Sequence, residues 1–296
     1  MINQTARVFV AVVEERSFTR AANMLHMTQP AVSDYIKQLE EELDITLIER
    51  STRGIRLNPA GEIYYHHVKE MISLEARMHH LIHDLQEETK GPIQIGASYT
   101  YGEYILPSIL AKLVKKYPGI IPEVHISNSA AIMQGIKSSN LDIGIIEDEI
   151  TDPRVNITRL LKDAMYIIGD AALPASPSLQ TLEERTWLIR EEGSGIRHFQ
   201  EQVFERLGIR PKTITLSSTQ AIKNVVASGI GLSLLSKHTI HHELETGRLQ
   251  HINYNDMSLD RYFYLLTPDV RFQSTSTLAL LNLLNETSIE SHEVSS

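Results

Sequence analysis

The 296-residue chain has no cysteine, which excludes disulfides and thiolate metal sites and suits a reducing, cytoplasmic setting. It has no run near the ~18 uninterrupted apolar residues of a membrane-spanning helix, so no membrane partner is expected. The opening MINQTARVFV lacks a basic segment followed by an apolar core and a small-residue cleavage site, so export is not expected either. Positive charge is also short. The 28 Lys and Arg face 37 Asp and Glu, a net charge of −9, so any nucleic-acid binding must come from local arrangement. No Walker or dinucleotide glycine pattern occurs, and Gly193-Ser194-Gly195 does not fit a hydrolase elbow; no enzyme is expected. What remains is an ordinary folded composition, 42% hydrophobic and 22% charged, over a length that fits about two or three domains.

The richest stretch is SFTRAANMLHMTQPAVSDYIKQLEEEL, Ser17 to Leu43. Val8, Phe9, Val12 and Val13 form a helical stripe before it. Ser17 is placed to cap a short helix that buries Phe18, Ala21, Ala22 and Leu25, and the paired alanines let another helix cross closely. After His26-Met27, Thr28 can cap a second helix. Pro30 falls in its first turn, where the backbone has no intrahelical partner to lose. Val32, Ile36, Leu39 and Leu43 make one buried face. The other face carries Thr28, Gln29, Pro30, Ser33, Asp34 and Lys37, short or hydrogen-bonding groups near a helix N-terminus, as a helix entering a DNA major groove requires. A plain surface helix would also show a polar face; the neighbouring segment favours DNA. TLIERSTRGIRLNPAGE, Thr46 to Glu62, reads as two short strands around STRG, a wing whose Arg50, Arg53 and Arg56 can reach phosphates.

The pattern Ser17-Phe18-Thr19, Ala21-Ala22, Leu25, then Gln29-Pro30-Ala31-Val32-Ser33, Ile36, Leu39-Glu40, then Leu47, Arg50 and Pro59-Ala60-Gly61 resembles the N-terminal domain of LysR-type transcriptional regulators. About twenty matching positions at fixed spacing carry it, dense over residues 1–62. Departures are Ala6 for a larger apolar residue, Asp44 for the usual glycine, Ile48 for phenylalanine and Asn58 for threonine; they touch packing and turns more than base reading. Residues 1–58 hold seven Lys and Arg against eight Asp and Glu, and Asp34 on the reading face has no evident role unless it accepts from a cytosine amino group.

A long helix follows from Ala60 to Glu88. Tyr64, His67, Met71, Leu74, Met78, Leu81 and Leu85 alternate at four and three, a coiled-coil seam that a second copy would cover. The alternative is packing on its own C-terminal domain. The resemblance implies the same dimerising linker, often within a tetramer, and leaves RNA polymerase open as a protein partner. His79 and His83 share a helix face at a zinc-compatible spacing, but no third ligand is near, so no metal and no cofactor is expected; His238, His241 and His242 read the same way.

Beyond Lys90-Gly91-Pro92, strands and helices alternate, indicating parallel sheets. The expected fold class is α/β: a winged helix-turn-helix over 1–58, with its helical pair at about 18–37, a linker helix over 59–89, and an effector domain over 90–296. That domain is expected as two lobes, about 91–161 with 268–290, and about 162–267, like a periplasmic binding protein. Strand-to-helix joins carry Ser98, Thr100, Ser129, Ser194, Gly195, Ser218 and Thr219, which together suit a small anion; Arg197 can add a charge or hold a lobe by an ion pair. Each serine also has an ordinary role as a helix cap. The resemblance places effector contacts at these joins. The expected function is thus a homodimeric or homotetrameric regulator, with activation among its expected roles, that binds promoter DNA and answers to a small anionic effector. The rival is a cytoplasmic solute-binding module or enzyme with an incidental helical N-terminus.

Overall fold

The computed structural model describes residues 2–51, 54–83, 89–174, 176–255 and 257–293, and the chain divides into two compact units, Met1–Leu85 and Gln86–Ser296. In the first unit, α1 (Gln4–Glu15), α2 (Phe18–Met24) and α3 (Gln29–Leu43) pack round a core of Val8, Phe9, Val12, Ala21, Ala22, Val32, Ile36 and Leu39. The hairpin β1 (Ile48–Ser51) and β2 (Gly54–Leu57) is antiparallel, with Ile48 opposite Leu57. The linker helix α4 (Pro59–His83) follows. It is not a free-standing segment over 59–89, because one of its faces joins this core: Val68 is buried, and Tyr64 meets Phe9 edge to face at 5.0 Å.

The second unit contains β3 (Gly91–Ser98), α5 (Tyr99–Tyr104), α6 (Leu106–Lys116), β4 (Ile120–Ser127), α7 (Ser129–Lys137), β5 (Ile143–Ile146) and the long β6 (Val155–Gly169). Then come α8 (Leu179–Glu184), β7 (Trp187–Ile189), α9 (Gly195–Leu207), β8 (Thr213–Thr215), α10 (Thr219–Ala227), β9 (Ser233–Ser236), α11 (Lys237–Glu245), β10 (Gln250–His251), β11 (Asp260–Pro268) and α12 (Thr275–Glu293). β3 pairs in parallel with β4 and β5. β11 then pairs antiparallel with both β5 and β6, and the far end of β6 pairs antiparallel with β9 and β10.

The sheets are therefore mixed, where alternation alone predicts parallel ones. The reason is that β6 and β11 are the two crossovers between lobes and run in opposite directions. They also move the lobe boundaries. Residues 162–164 and 260–267, assigned to the second lobe on sequence, are hydrogen-bonded into the first lobe's sheet. Each lobe has buried clusters of its own. One surrounds Trp187 in the second lobe, with the indole N–H donating to the Leu182 carbonyl at 2.8 Å. In the first lobe, α6 and α12 cover one sheet face and α7 the other.

Candidate nucleic-acid interface and effector cleft

The helix-turn-helix is built from local chemistry. Ser17 Oγ accepts from the Arg20 N–H at 3.3 Å and Thr28 Oγ1 from the Ala31 N–H at 3.4 Å, so each serves as the cap its position predicts. Pro30 sits in the first turn of α3. Between the helices His26 takes φ 53°, a left-handed conformation that lets the Met27 N–H return to the Ala22 carbonyl. Thr28, Gln29, Pro30, Asp34 and Lys37 are exposed and Ser33 half-exposed, while Val32, Ile36 and Leu39 face the core. Gln29 Nε2 donates to Ser33 Oγ at 2.8 Å, which orients two polar groups together on the outward face. Lys37 pairs loosely with Glu41 at 3.5 Å.

At the other end of α3, Glu40 accepts from the N–H groups of Leu47 and Ile48 at 2.8 and 3.1 Å, fixing the wing to the helix. Arg56 is exposed on β2 and Arg50 lies on β1; Arg53 lies outside the described residues. Two departures gain physical meaning. Asp44 ends α3 at φ 51°, the conformation that favours the glycine it replaces. Asn58 caps α4, accepting from Gly61 N–H at 2.8 Å, and donates to the Thr46 carbonyl.

In the second unit the predicted strand-to-helix joins do gather between the lobes. Ser98, Thr100, Ser129, Ser194 and Thr219 are each at least nine-tenths buried. The Gly193 carbonyl of the second lobe accepts from the Ala130 N–H of the first at 3.2 Å. Gly195 is held to glycine by close approach, since a Cβ there would stand 2.6 Å from Glu147 Cβ and 3.1 Å from Ser129 Oγ. Ser218 is spent as a cap, accepting from the Ala221 N–H at 3.3 Å. Arg197 pairs with Glu201 at 2.8 Å within α9 and more distantly with Glu192.

Sequence reasoning missed the charged groups behind these serines. Arg190 is buried, donates to Thr219 Oγ1 at 2.9 Å and to both Glu191 oxygens, and lies over the Tyr99 ring. Arg261 on β11 bridges Glu147 at 3.0 Å and Asp163 at 2.9 Å, and Asp163 accepts from Ser236 Oγ at 2.6 Å. Burial opposes the Arg261 cation, but the two carboxylates outweigh it and hold its pKa above the ordinary value. Lys223 pairs with Glu243 at 2.8 Å. A cavity of about 630 Å³ opens between the lobes beside Gly193, Ser194, Arg197, His198 and Asp148, and burial raises the Asp148 pKa. None of these buried ions carries a periodicity or motif; only an unusual Arg or Asp inside an apolar strand signals them.

With this geometry in view, comparison decides the family. Residues 4–62 match the model for the bacterial regulatory helix-turn-helix protein, lysR family, and residues 86–288 match the LysR substrate binding domain. The chain belongs to the LysR family. It is a LysR-type transcriptional regulator with a DNA-binding and an effector-binding domain. It is 35% identical over 266 residues to the HTH-type transcriptional regulator CysL of Bacillus subtilis, covering 88% of this chain and 89% of that one. Full-length CbnR complexed with its target DNA has the same fold at 16% identity and a TM-score of 0.74, over 97% of this chain and 100% of that one. The Synechocystis PCC6803 CcmR regulatory domain in complex with 2-PG is similar at 24% identity and a TM-score of 0.62, over 67% of this chain and 98% of that one.

In this LysR-type chain the residues of the expected linker seam divide between two faces of α4. Met71, Leu74 and Met78 are exposed on α4, Leu81 is half-buried, and Leu85 lies outside the described residues. Tyr64 does not share that face, since it packs on Phe9; Ile63, 62% exposed, and Ile82, 57% exposed, extend the outward stripe instead. The heptad pattern admitted Tyr64 because α4 carries two apolar stripes that overlap in sequence, one packed on the core of the first unit and one exposed. Among the described residues no cluster of three or more His, Asp or Glu could hold a metal ion, and no helix is long and apolar enough to cross a membrane.

Proposed function

We propose that this regulator works in the cytoplasm, acts by binding and not by catalysis, and docks on promoter DNA as a dimer or tetramer. The tip of α3 enters the major groove, with Thr28, Gln29, Pro30, Ser33, Asp34 and Lys37 against the bases and Arg50, Arg53 and Arg56 against phosphates. The observation that carries this reading is the outward-facing, pre-aligned Gln29–Ser33 pair on a proline-started helix whose opposite face is buried at Val32, Ile36 and Leu39, with Leu43, expected on that face, 42% exposed. Met71, Leu74, Met78, Leu81 and Leu85 join two copies, supported by the outward apolar stripe of α4. A small anionic effector enters the cleft at Ser98, Thr100, Ser129, Ser194, Gly195, Thr219 and Ser218, and changes lobe closure and through it the bend or spacing imposed on DNA. The 2-PG bound by the CcmR domain supports a small ligand in a domain of this fold.

The test is retardation of the DNA upstream of its own gene. Gln29→Ala and Ser33→Ala should weaken target DNA more than random DNA, whereas Arg56→Ala should weaken both alike and lower the salt slope by about 1. Equal losses for all three would overturn the roles. For the coupling, effector should change footprint length or DNA bend at constant oligomer size; an unchanged footprint at saturation removes it.

A further inference from the structure

Three of the residues proposed to receive the effector, Thr100, Ser129 and Gly195, meet at a side chain that is itself an anion. Glu147 follows the carboxyl end of β5 with its side chain 3% exposed. One of its carboxylate oxygens accepts from the Thr100 N–H at 3.3 Å, the other from Arg261 Nη1 at 3.0 Å. Its own N–H donates to Ser129 Oγ at 3.4 Å, and the missing side chain of Gly195 makes room for its Cβ. Beside it, hydrogen-bonding capacity goes unused. Ser98 Oγ, Thr100 Oγ1 and Arg261 Nη2 are buried and have no partner among the described residues. Native folds leave few such groups, and two of these three belong to residues that bond Glu147 directly, so they mark a cradle built for more oxygens than Glu147 supplies.

We propose that Glu147 is a resident anion, standing where the acid group of the effector will stand. An entering carboxylate, phosphate or sulfate exchanges with it, accepting from the Thr100 N–H, from the Ser98 and Thr100 hydroxyls and from Arg261. The displaced carboxylate turns into the cavity of about 290 Å³ that it already lines, where His198 and Gln202 can receive it and Arg159, 3.5 Å from Glu149, offsets the Asp148, Glu149 and Asp260 carboxylates that share the lining. This exchange also carries a signal. Arg261 sits on one crossover strand and is tied to Asp163 on the other, which holds Ser236 at the edge of the second lobe. Breaking the Glu147–Arg261 pair therefore loosens the first lobe from the strands about which closure must occur.

The inference rests on the cleft being the effector site, and the experiment separates the two. Full-length protein is titrated calorimetrically with inorganic phosphate, inorganic sulfate and malonate. Glu147→Gln keeps an acceptor for the Thr100 N–H but removes the competing charge, and should bind at least one of the three about tenfold more tightly than the unsubstituted chain. Thr100→Val removes a hydroxyl that has no partner, so it should leave the thermal midpoint unchanged or higher while weakening that oxyanion several-fold. The second variant carries the test should Glu147→Gln fail to fold. Affinity untouched by either substitution but reduced by Thr219→Val overturns the resident anion and keeps the cleft. Affinity untouched by all three removes the cleft reading as well. No binding of any oxyanion to Glu147→Gln or to the unsubstituted chain overturns the proposal.

Discussion

Gly61 gives a sharp test of how the linker helix is seated on the DNA-binding domain. It lies in the first turn of α4, and a Cβ built there would stand 2.2 Å from the Leu47 carbonyl oxygen, 3.0 Å from its carbon and 3.0 Å from Leu57 Cδ2. The obstructing atom is backbone. It already accepts from the Asn58 N–H at 3.2 Å, and Leu47 itself is tied to Glu40 on α3. Gly61→Ala must therefore push the helix start and the wing apart by roughly 1 Å in a close-packed interior. Overpacking of this kind costs about 1–3 kcal/mol, and a carbonyl that cannot rotate away puts this site near the upper figure. Better helix propensity offsets about 1 kcal/mol. The net loss of about 2 kcal/mol should lower the melting midpoint of the first unit by roughly 8–16 °C. Far-ultraviolet circular dichroism of the full chain reads the first transition, and target-DNA affinity measured well below it reports the shifted wing. A midpoint within about 2 °C of the unsubstituted protein would refute the contact and the seating of α4 derived from it.

Asp44→Gly should stabilise the same unit by about 0.5–1 kcal/mol, because φ 51° strains an L-residue; chemical denaturation checks it, and a loss would mean the aspartate makes an interaction absent from its cap geometry. Leu74→Glu, on the exposed stripe of α4, should shift the protein toward monomer in light scattering without changing its melting; an unchanged oligomer would place the interface elsewhere. Arg261→Met strands two buried carboxylates and should cost about 3–5 kcal/mol in the second unit, read by urea unfolding. Burial lowers the pKa values of His251, which stacks on Tyr166 at 4.1 Å, and of His238. The unfolded chain then binds protons first, so this stability is fully present above about pH 6.5 and is lost as pH falls from there through the folded values. His251→Gln should flatten that slope in a pH series of melting curves.

How much of this was legible in the sequence differs between the units for a physical reason. The helix-turn-helix is written in short-range chemistry. Caps at Ser17 and Thr28, a first-turn proline and the spacing of Val32, Ile36 and Leu39 each act within a few residues, so they can be read before anything is folded. Tyr64 marks the limit there, because period alone does not say which of two partners a stripe faces. In the second unit the strand-to-helix joins were legible for the same local reason. The crossover topology was not. β6 and β11 lie some hundred residues apart in sequence, and their antiparallel pairing depends on neither one's own pattern. The ions that pair across them, Glu147, Asp163 and Arg261, look on paper like surface charges punctuating apolar strands.

That contrast bears on how such a chain can be rewired. On the proposed reading, bases are met by a few exposed side chains on α3 that take no part in the core shared with α1 and α2, so base choice can change one residue at a time with little effect on folding. Effector response is different, because the cradle and the hinge share atoms. The guanidinium that would hold an oxyanion is also the group that joins β11 to β6, and the glycine that admits Glu147 opens α9 of the opposite lobe. A substitution that retunes ligand choice at Glu147 or Arg261 therefore changes the balance between lobe arrangements as well. Thr100 and Ser98, whose hydroxyls have no partner among the described residues, are on the proposed reading the positions where ligand preference can shift while the hinge stays intact.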